Sequence, residues 1–193
     1  MRTAIALATT LALASPAFAS TWDIDPTHTD VGFSVKHMMV SNTKGRFAGV
    51  KGTVDIDDKD LTKTKIGITI DVKSIDTREP KRDDHLRSPD FFDVAKFPTL
   101  TFKSKSVATA GKGFKVTGDI TIHGVTKEIV LDVDSITAPL KDPFGGTRRG
   151  VVAHTKVNRG DFGLKWNKAI EAGGVVVGEE VTITIDAELT EKK

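Results

Sequence analysis

Every second residue of the run EVTITIDAEL, residues 180–189, is apolar. Val181, Ile183, Ile185, Ala187 and Leu189 fall on one side of an extended chain, and Glu180, Thr182, Thr184, Asp186 and Glu188 on the other. Side chains of a β-strand change face at each residue, so such a run builds a strand with one dry and one wet face. KIGITIDVK repeats the pattern, with Ile66, Ile68, Ile70 and Val72 set against Lys65, Thr69, Asp71 and Lys73, and VGFSVKHM groups Val31, Phe33, Val35 and His37. A wet face is incompatible with a parallel sheet covered by helices and points to antiparallel pairing.

About eight such runs follow one another, near 30–40, 44–56, 65–73, 99–107, 114–122, 125–136, 148–157 and 180–190. His123-Gly124 predicts a tight turn between two of them, and the stretches DIDDKDLTKT, ATAGKG and DPFGGT predict loops. One-sided antiparallel strands hide their apolar faces in a sandwich or by closing on themselves, and roughly eight strands is the number at which a closed barrel can hold one small ligand. Two segments break the alternation. Residues 77–98 carry helix signals: Pro80 suits a first turn, Ser88-Pro89-Asp90 a second helix start, and Pro98 a stop. Residues 158–179 form a long glycine-rich connection, a length that usually marks function. Both are expected to cover an open barrel end.

The first residues have the layout of an export leader: Arg2, an apolar stretch over 4–14, and Ala17-Phe18-Ala19 in a small-x-small pattern. The expected organisation is a leader over 1–19 and one domain over 20–193, with no later stretch apolar enough to span a membrane. The chain has no cysteine, so an exported domain has to be held by its core rather than by disulfides, and thiol chemistry is excluded. Its formal charge is +2 with acids and bases interleaved, which argues against a nucleic-acid partner.

Motifs for a serine nucleophile elbow, a helix-borne zinc pair, a phosphate loop and a dinucleotide fold are missing. His37, sharing a face with Val31, Phe33 and Val35, is open to three roles: a satisfied buried imidazole, a contact to a ligand headgroup, or a metal ligand. Arg82 and His85 lie three residues apart and share a helix face, and His85 is open to a pocket-mouth role, a purely structural hydrogen bond or a metal ligand. Phe91, Phe92 and Phe97 cap the core or line an apolar mouth. Asp83, Asp84, Asp90 and Asp93 alternate with Arg82 and Arg87, as solvated ion pairs do. The spacing of the histidines and acids assembles no set of three or four metal ligands, so no metal or cofactor is expected.

The stretches HTDVGFSVKHMMVSNTKGRF, RDDHLRSPDFFDVAKFPTLTF, GDITIHGVTKEIVLD, DPFGGTRRG and RGDFGL, in that order, resemble the YceI-like family of bacterial periplasmic proteins over essentially the whole chain after the leader. The resemblance implies an all-β, lipocalin-like eight-stranded antiparallel β-barrel with a short helical insertion, a periplasmic location, and a long apolar cavity for a polyisoprenoid or isoprenoid-quinone-like amphiphile. It implies no family-wide catalytic activity. Within such a barrel, alternation assigns Phe33, Val35, Ile68, Ile70, Leu100, Phe102, Phe114, Val116, Ile129, Leu131 and Ile185 to the apolar lining. The polar end or mouth falls to His37, Arg82, His85, Phe91 and Phe92. The expected partner is a long-chain isoprenoid lipid, with a transient membrane-surface or membrane redox partner. Two competing readings are an enzyme on an amphiphile with His37 or His85 as general base, and a ligand-free structural module whose interior is filled by side chains.

Overall fold

The computed structural model describes residues 19–171 and 173–193, so the leader reading lies outside the described residues except for Ala19. Its strands are β1 (Ser20–Ile24), β2 (Asp30–His37), β3 (Ser41–Phe47), β4 (Val50–Ile56), β5 (Lys65–Asp71) and β6 (Ile75–Asp76). After the helix α1 (Pro80–Arg87) come β7 (Thr99–Ala110), β8 (Gly113–Ile122), β9 (Val125–Ile136), β10 (Leu140–Lys141), β11 (Thr147–Asn158) and β12 (Val177–Glu191).

These segments make eight staves, because several staves are kinked. β1 and β2 run end to end along one edge of β12, with Ile24 opposite Leu189 and Asp30 opposite Asp186. β3 and β4 continue each other beside them, as do β5 and β6, and β9 and β10. The first kink holds Pro26, which has no N–H for a ladder, and Asp25, whose carboxylate accepts from the Thr27 N–H at 2.9 Å. In the third stave the Asp71 carboxylate accepts from the Lys73 N–H and starts a 3-10 turn. Each stave pairs antiparallel with the next in sequence, and β12 pairs along its other edge with β11, from Arg148–Thr190 to Asn158–Glu180. The ring is therefore closed, an up-and-down barrel.

Three expectations change. The run expected over 44–56 is one stave broken at Ala48-Gly49, and β1 is a strand that alternation over so few residues did not reveal. Ser88 does not start a second helix. Pro89 drives Ser88 into extended backbone (ψ 169°), so Ser88 ends α1, donating its N–H to His85 O at 3.1 Å. Pro80 does stand at the start of α1, and His123-Gly124 forms the tight turn with φ of 51° and 74°. Of the insertion's acids, Asp83 and Asp93 are buried rather than solvated. The Asp83 carboxylate accepts from the Thr77 N–H at 2.9 Å, and Asp93 pairs with Lys96 at 2.9 Å.

Because the staves alternate up and down, both insertions, 77–98 and 159–176, fall at one end, with the turns 38–40 and 123–124. The loops 57–64, 111–112 and 142–146 lie at the other. That second end is plugged by Trp22, Val54, Ile56 and Leu189, with Ile24, Leu61, Ile66, Ile136 and Val151 packed around them. Trp22 is 1% exposed and donates Nε1–H to Ser20 Oγ at 2.7 Å. The Arg149 guanidinium lies 4.9 Å from its ring centroid and is bonded to the Asp58 carboxylate. At the insertion end a second cluster joins Phe47, Val72, Ile75, Leu100, Ile122, Phe162 and Leu164. Trp22→Ala is expected to cost about 3–5 kcal/mol of unfolding free energy, read as a lowered denaturation midpoint with an unchanged slope.

Candidate functional site: a closed apolar interior

Between the two clusters the barrel is hollow. A cavity of about 280 Å³ runs along its interior, walled by inward side chains from every stave and by Leu86, Phe91 and Phe92 of the insertion. All eleven residues assigned by alternation, Phe33, Val35, Ile68, Ile70, Leu100, Phe102, Phe114, Val116, Ile129, Leu131 and Ile185, stand on that wall. Several of them, including Ile68, Phe114, Ile129, Leu131 and Ile185, keep partial exposure although their strand partners are solvated outside. That is how inward residues behave beside open space rather than in a packed core. The same alternation continues through Val31, Val133, Val181 and Ile183, which also line the wall.

The two large rings at mid-barrel owe their positions to glycines on neighbouring strands. Phe33 lies across Gly45, where an added Cβ would come within 2.4 Å of its ring, and Phe102 lies across Gly118 at 2.5 Å. Only Thr29, Thr64, Thr101, Thr155 and Arg159 among the lining residues have polar side chains, and next to none of the cavity surface is polar. Thr155 Oγ1 already donates to Val130 O at 2.7 Å.

The three polar residues expected at the mouth lie at the insertion end, but none of them stands on the cavity wall. His37 is the last residue of β2, opposite Ser41 and Val177, and is not on the cavity wall. Alternation ran one step past the interior, because β12 shifts register between Val177 and Val181 and β2 ends in a turn. Arg82 is held at the base of α1, donating Nε–H and Nη2–H to Thr77 Oγ1 and O at 2.8 and 2.7 Å. His85 faces outward to Asp90, Nε2 to Oδ2 at 3.0 Å, with its ring edge-on to Phe91 and Trp166 at centroid distances of 5.1 and 5.0 Å. Phe91 and Phe92 do line the cavity, and Phe92 meets Phe47 edge-on.

His85 thus belongs to a clasp between the two insertions. Phe91 packs on Trp166 at 5.2 Å, and Trp166 belongs to the long connection, 159–176. Asn167 ties that connection to β12 as a strand neighbour would, donating Nδ2–H to Val177 O at 2.7 Å and accepting from the Val177 N–H at 3.0 Å. Its start is held by Arg159, which is 7% exposed and donates Nε–H to Gly178 O at 2.9 Å and Nη2–H to Val177 O at 3.3 Å. Its Nη1 is bonded to Leu164 O. Arg159 escaped sequence reasoning because it lies in the connection, where alternation assigns no face.

Asp25, His28 and Glu188 bring three potential metal-ligand atoms together outside the barrel. Arg148 already occupies the group, its guanidinium bonded to Asp25 at 2.9 Å, to Asp142 at 2.8 Å and to Glu188. The cluster therefore carries its own cation. Thr27 and His28, and after them Arg148, hold the Asp25 carboxyl well below the usual carboxylate range, and Asp25 in turn raises His28.

Residues 22–189 match the family model of the YceI-like domain. A UPF0312 protein of Vibrio parahaemolyticus is 37% identical over 163 residues, covering 84% of this chain and 86% of the relative. Among solved structures, the Campylobacter jejuni YceI protein matches with a TM-score of 0.70 at 34% identity, covering 88% of this chain and 96% of that one. A polyisoprenoid-binding domain from Saccharophagus degradans, implicated in plant cell wall breakdown, has the same fold, with a TM-score of 0.62 at 16% identity, covering 90% of this chain and 99% of that one.

Two outcomes follow from this geometry. Trp166→Ala removes one side of the clasp and is expected to speed release of a bound apolar fluorophore roughly two- to tenfold, measured by stopped flow, in line with aromatic pair energies. Asp25 is ionised in the folded chain at pH values where the unfolded chain takes up its proton. Its contribution is therefore full above about pH 4 and is lost as pH falls further. Asp25→Asn should be less stable at neutral pH and lose less stability than the parent between about pH 4 and 2, read from denaturation midpoints.

Proposed function

The chain belongs to the YceI-like domain family, and on that premise we propose that it is a periplasmic binding and carrier protein holding one long isoprenoid chain inside its barrel. The observation that carries this reading is the hollow, almost wholly apolar interior of about 280 Å³ that runs between the two end clusters. A wall with so few donors and acceptors favours a ligand that asks for few hydrogen bonds. Its length favours a long one. On β12 the lining runs from Val177 to Leu189, which at about 3.3 Å per residue and a strand tilt of about 40° gives roughly 30 Å along the axis. That is about the whole hydrocarbon thickness of a bilayer, twice what a lipid tail of one leaflet covers. The small volume favours a single chain over a two-tailed lipid.

Burial of one five-carbon unit contributes about 4 kcal/mol before ordering costs, so a few units suffice for tight binding with one or two polar contacts. The Saccharophagus degradans domain, described as polyisoprenoid-binding, adds support at the level of the shared fold. The leader-like first residues support export to the periplasm. A transient membrane-surface partner is supported by the turn after β2, where Met38, Met39 and Val40 are exposed at the insertion end. Met38 and Met39 hold left-handed φ angles of 47° and 61°, which few non-glycine residues adopt. No catalytic step belongs to this reading: neither His37 nor His85, the bases of an enzymatic alternative, stands on the cavity wall.

Native mass spectrometry of the protein purified from its own host tests the proposal. A long-chain lipid should accompany the folded protein and leave on unfolding. Absence of any bound lipid, together with no uptake of added polyprenyl compounds, overturns it.

A further inference from the structure

We infer that the insertion end docks on an anionic lipid surface through the turn 38–40 and the neighbouring Ile170, with Lys36, Lys44 and Lys168 as electrostatic anchors. This rests on the carrier reading and adds to it the charge of the surface and the second loop that meets it.

Val40 is 80% exposed, Met39 53% and Met38 43%, so three consecutive apolar side chains face water at the tip of the β2–β3 hairpin. A hairpin turn in water is ordinarily built from glycine, asparagine or aspartate, which take positive φ with little strain. Here two methionines take it at a cost. The tip is braced: Met38 donates its N–H to Val176 O at 2.8 Å, and Val176 donates its own to Lys168 O at 2.9 Å. The long connection supplies a fourth apolar side chain. A Cβ added at Gly174 would lie 3.1 Å from Met39 Cγ and 3.8 Å from Ile170 Cδ1, so those two side chains border one spot.

Charge decides what this tip fits. Lys36 and Lys44 are exposed on the same hairpin, opposite Asn42 and Ser34, and Lys168 is exposed on the connection. Among the described residues none of the three is in an ion pair, whereas Arg46 further along β3 has Asp76 at 3.6 Å and Lys156 on β11 has Glu180 at 2.8 Å. Glu171, exposed beside Ile170, offsets one of the three charges. Four apolar side chains are far too few for a stable protein interface, which takes about 20–30 residues a side. A bilayer asks for less. Apolar side chains enter the headgroup boundary, while lysines on their long stems meet anionic headgroups. Each lysine at such a surface is worth roughly fivefold in binding, and the gain fades with salt. Phe144, 91% exposed, stands at the opposite end and is the control for adhesion through any exposed ring.

The test uses the protein purified from its own host and vesicles of phosphatidylcholine with or without phosphatidylglycerol, read by co-sedimentation. The parent should bind the phosphatidylglycerol vesicles at least about tenfold more tightly than the others at low salt, with the difference shrinking at physiological salt. Met39→Ser together with Val40→Ser should weaken that binding about tenfold. Lys36→Gln together with Lys44→Gln should remove most of the preference for anionic vesicles. Phe144→Ser should change binding by less than about twofold. Binding to neither vesicle, equal binding to both, or a loss that follows Phe144→Ser instead of the tip variants overturns the inference. Uptake of a polyprenyl fluorophore is measured on the same samples without vesicles. A protein that takes up the probe and ignores vesicles loses this inference alone, and one that docks but takes up no probe loses the carrier reading instead. If the serine variant does not fold, the lipid and salt dependence of the parent and the lysine variant decide.

Discussion

The molecule depends on β12 being paired along both edges. One edge takes β11 over eleven residue pairs, and the other takes β2 and then β1. Without that seam the staves would form an open sheet with two unsatisfied edges, ready to pair with other chains. With it, backbone hydrogen bonding is complete around the ring, and the wall stands without needing its interior filled. Closure also dictates where polarity can go. Outward positions carry the charges, and inward ones are left with aliphatic and aromatic side chains.

A hollow apolar interior survives only if water has no reason to enter and the ends are shut. Each end is shut by a different device. At the loop end, Trp22 and its neighbours are packed beneath the Arg149–Asp58 pair, a permanent plug built from strand residues. At the insertion end the closure is made by two connections that meet through Phe91, His85 and Trp166 and are tied to β12 by Asn167 and Arg159. Contacts between connections are fewer than contacts between strands, and local opening draws on the least-packed parts of a structure. The insertion end is accordingly where local opening is expected, and it is also where the exposed Met38, Met39 and Val40 sit.

What the amino-acid sequence determined by itself is the sidedness of each stave. Alternation is a local property of extended backbone, so Phe33, Ile68, Phe102, Leu131 and Ile185 could be placed inward without knowing which strands they would meet. The turn at His123-Gly124 and the start of α1 at Pro80 were equally legible, because each depends on the φ preference of one or two residues. The motifs quoted from the chain carried its family, which in turn named the barrel.

Tertiary structure decided what depends on partners distant in sequence. Whether His37 enters the interior turns on the register of β12, some 140 residues away, and a shift there leaves it at the rim. Arg82 and His85 were drawn to Thr77, Asp90 and Trp166 by contacts that no periodicity encodes. Arg159 shows the same principle in reverse. It lies in a connection without alternation, and its place on the cavity wall follows from the carbonyls of Val177 and Gly178 at the start of a later strand. Strand faces are set by the geometry of the chain next to each residue, whereas the position of a polar side chain is set by whichever distant donor or acceptor satisfies it in a dry interior.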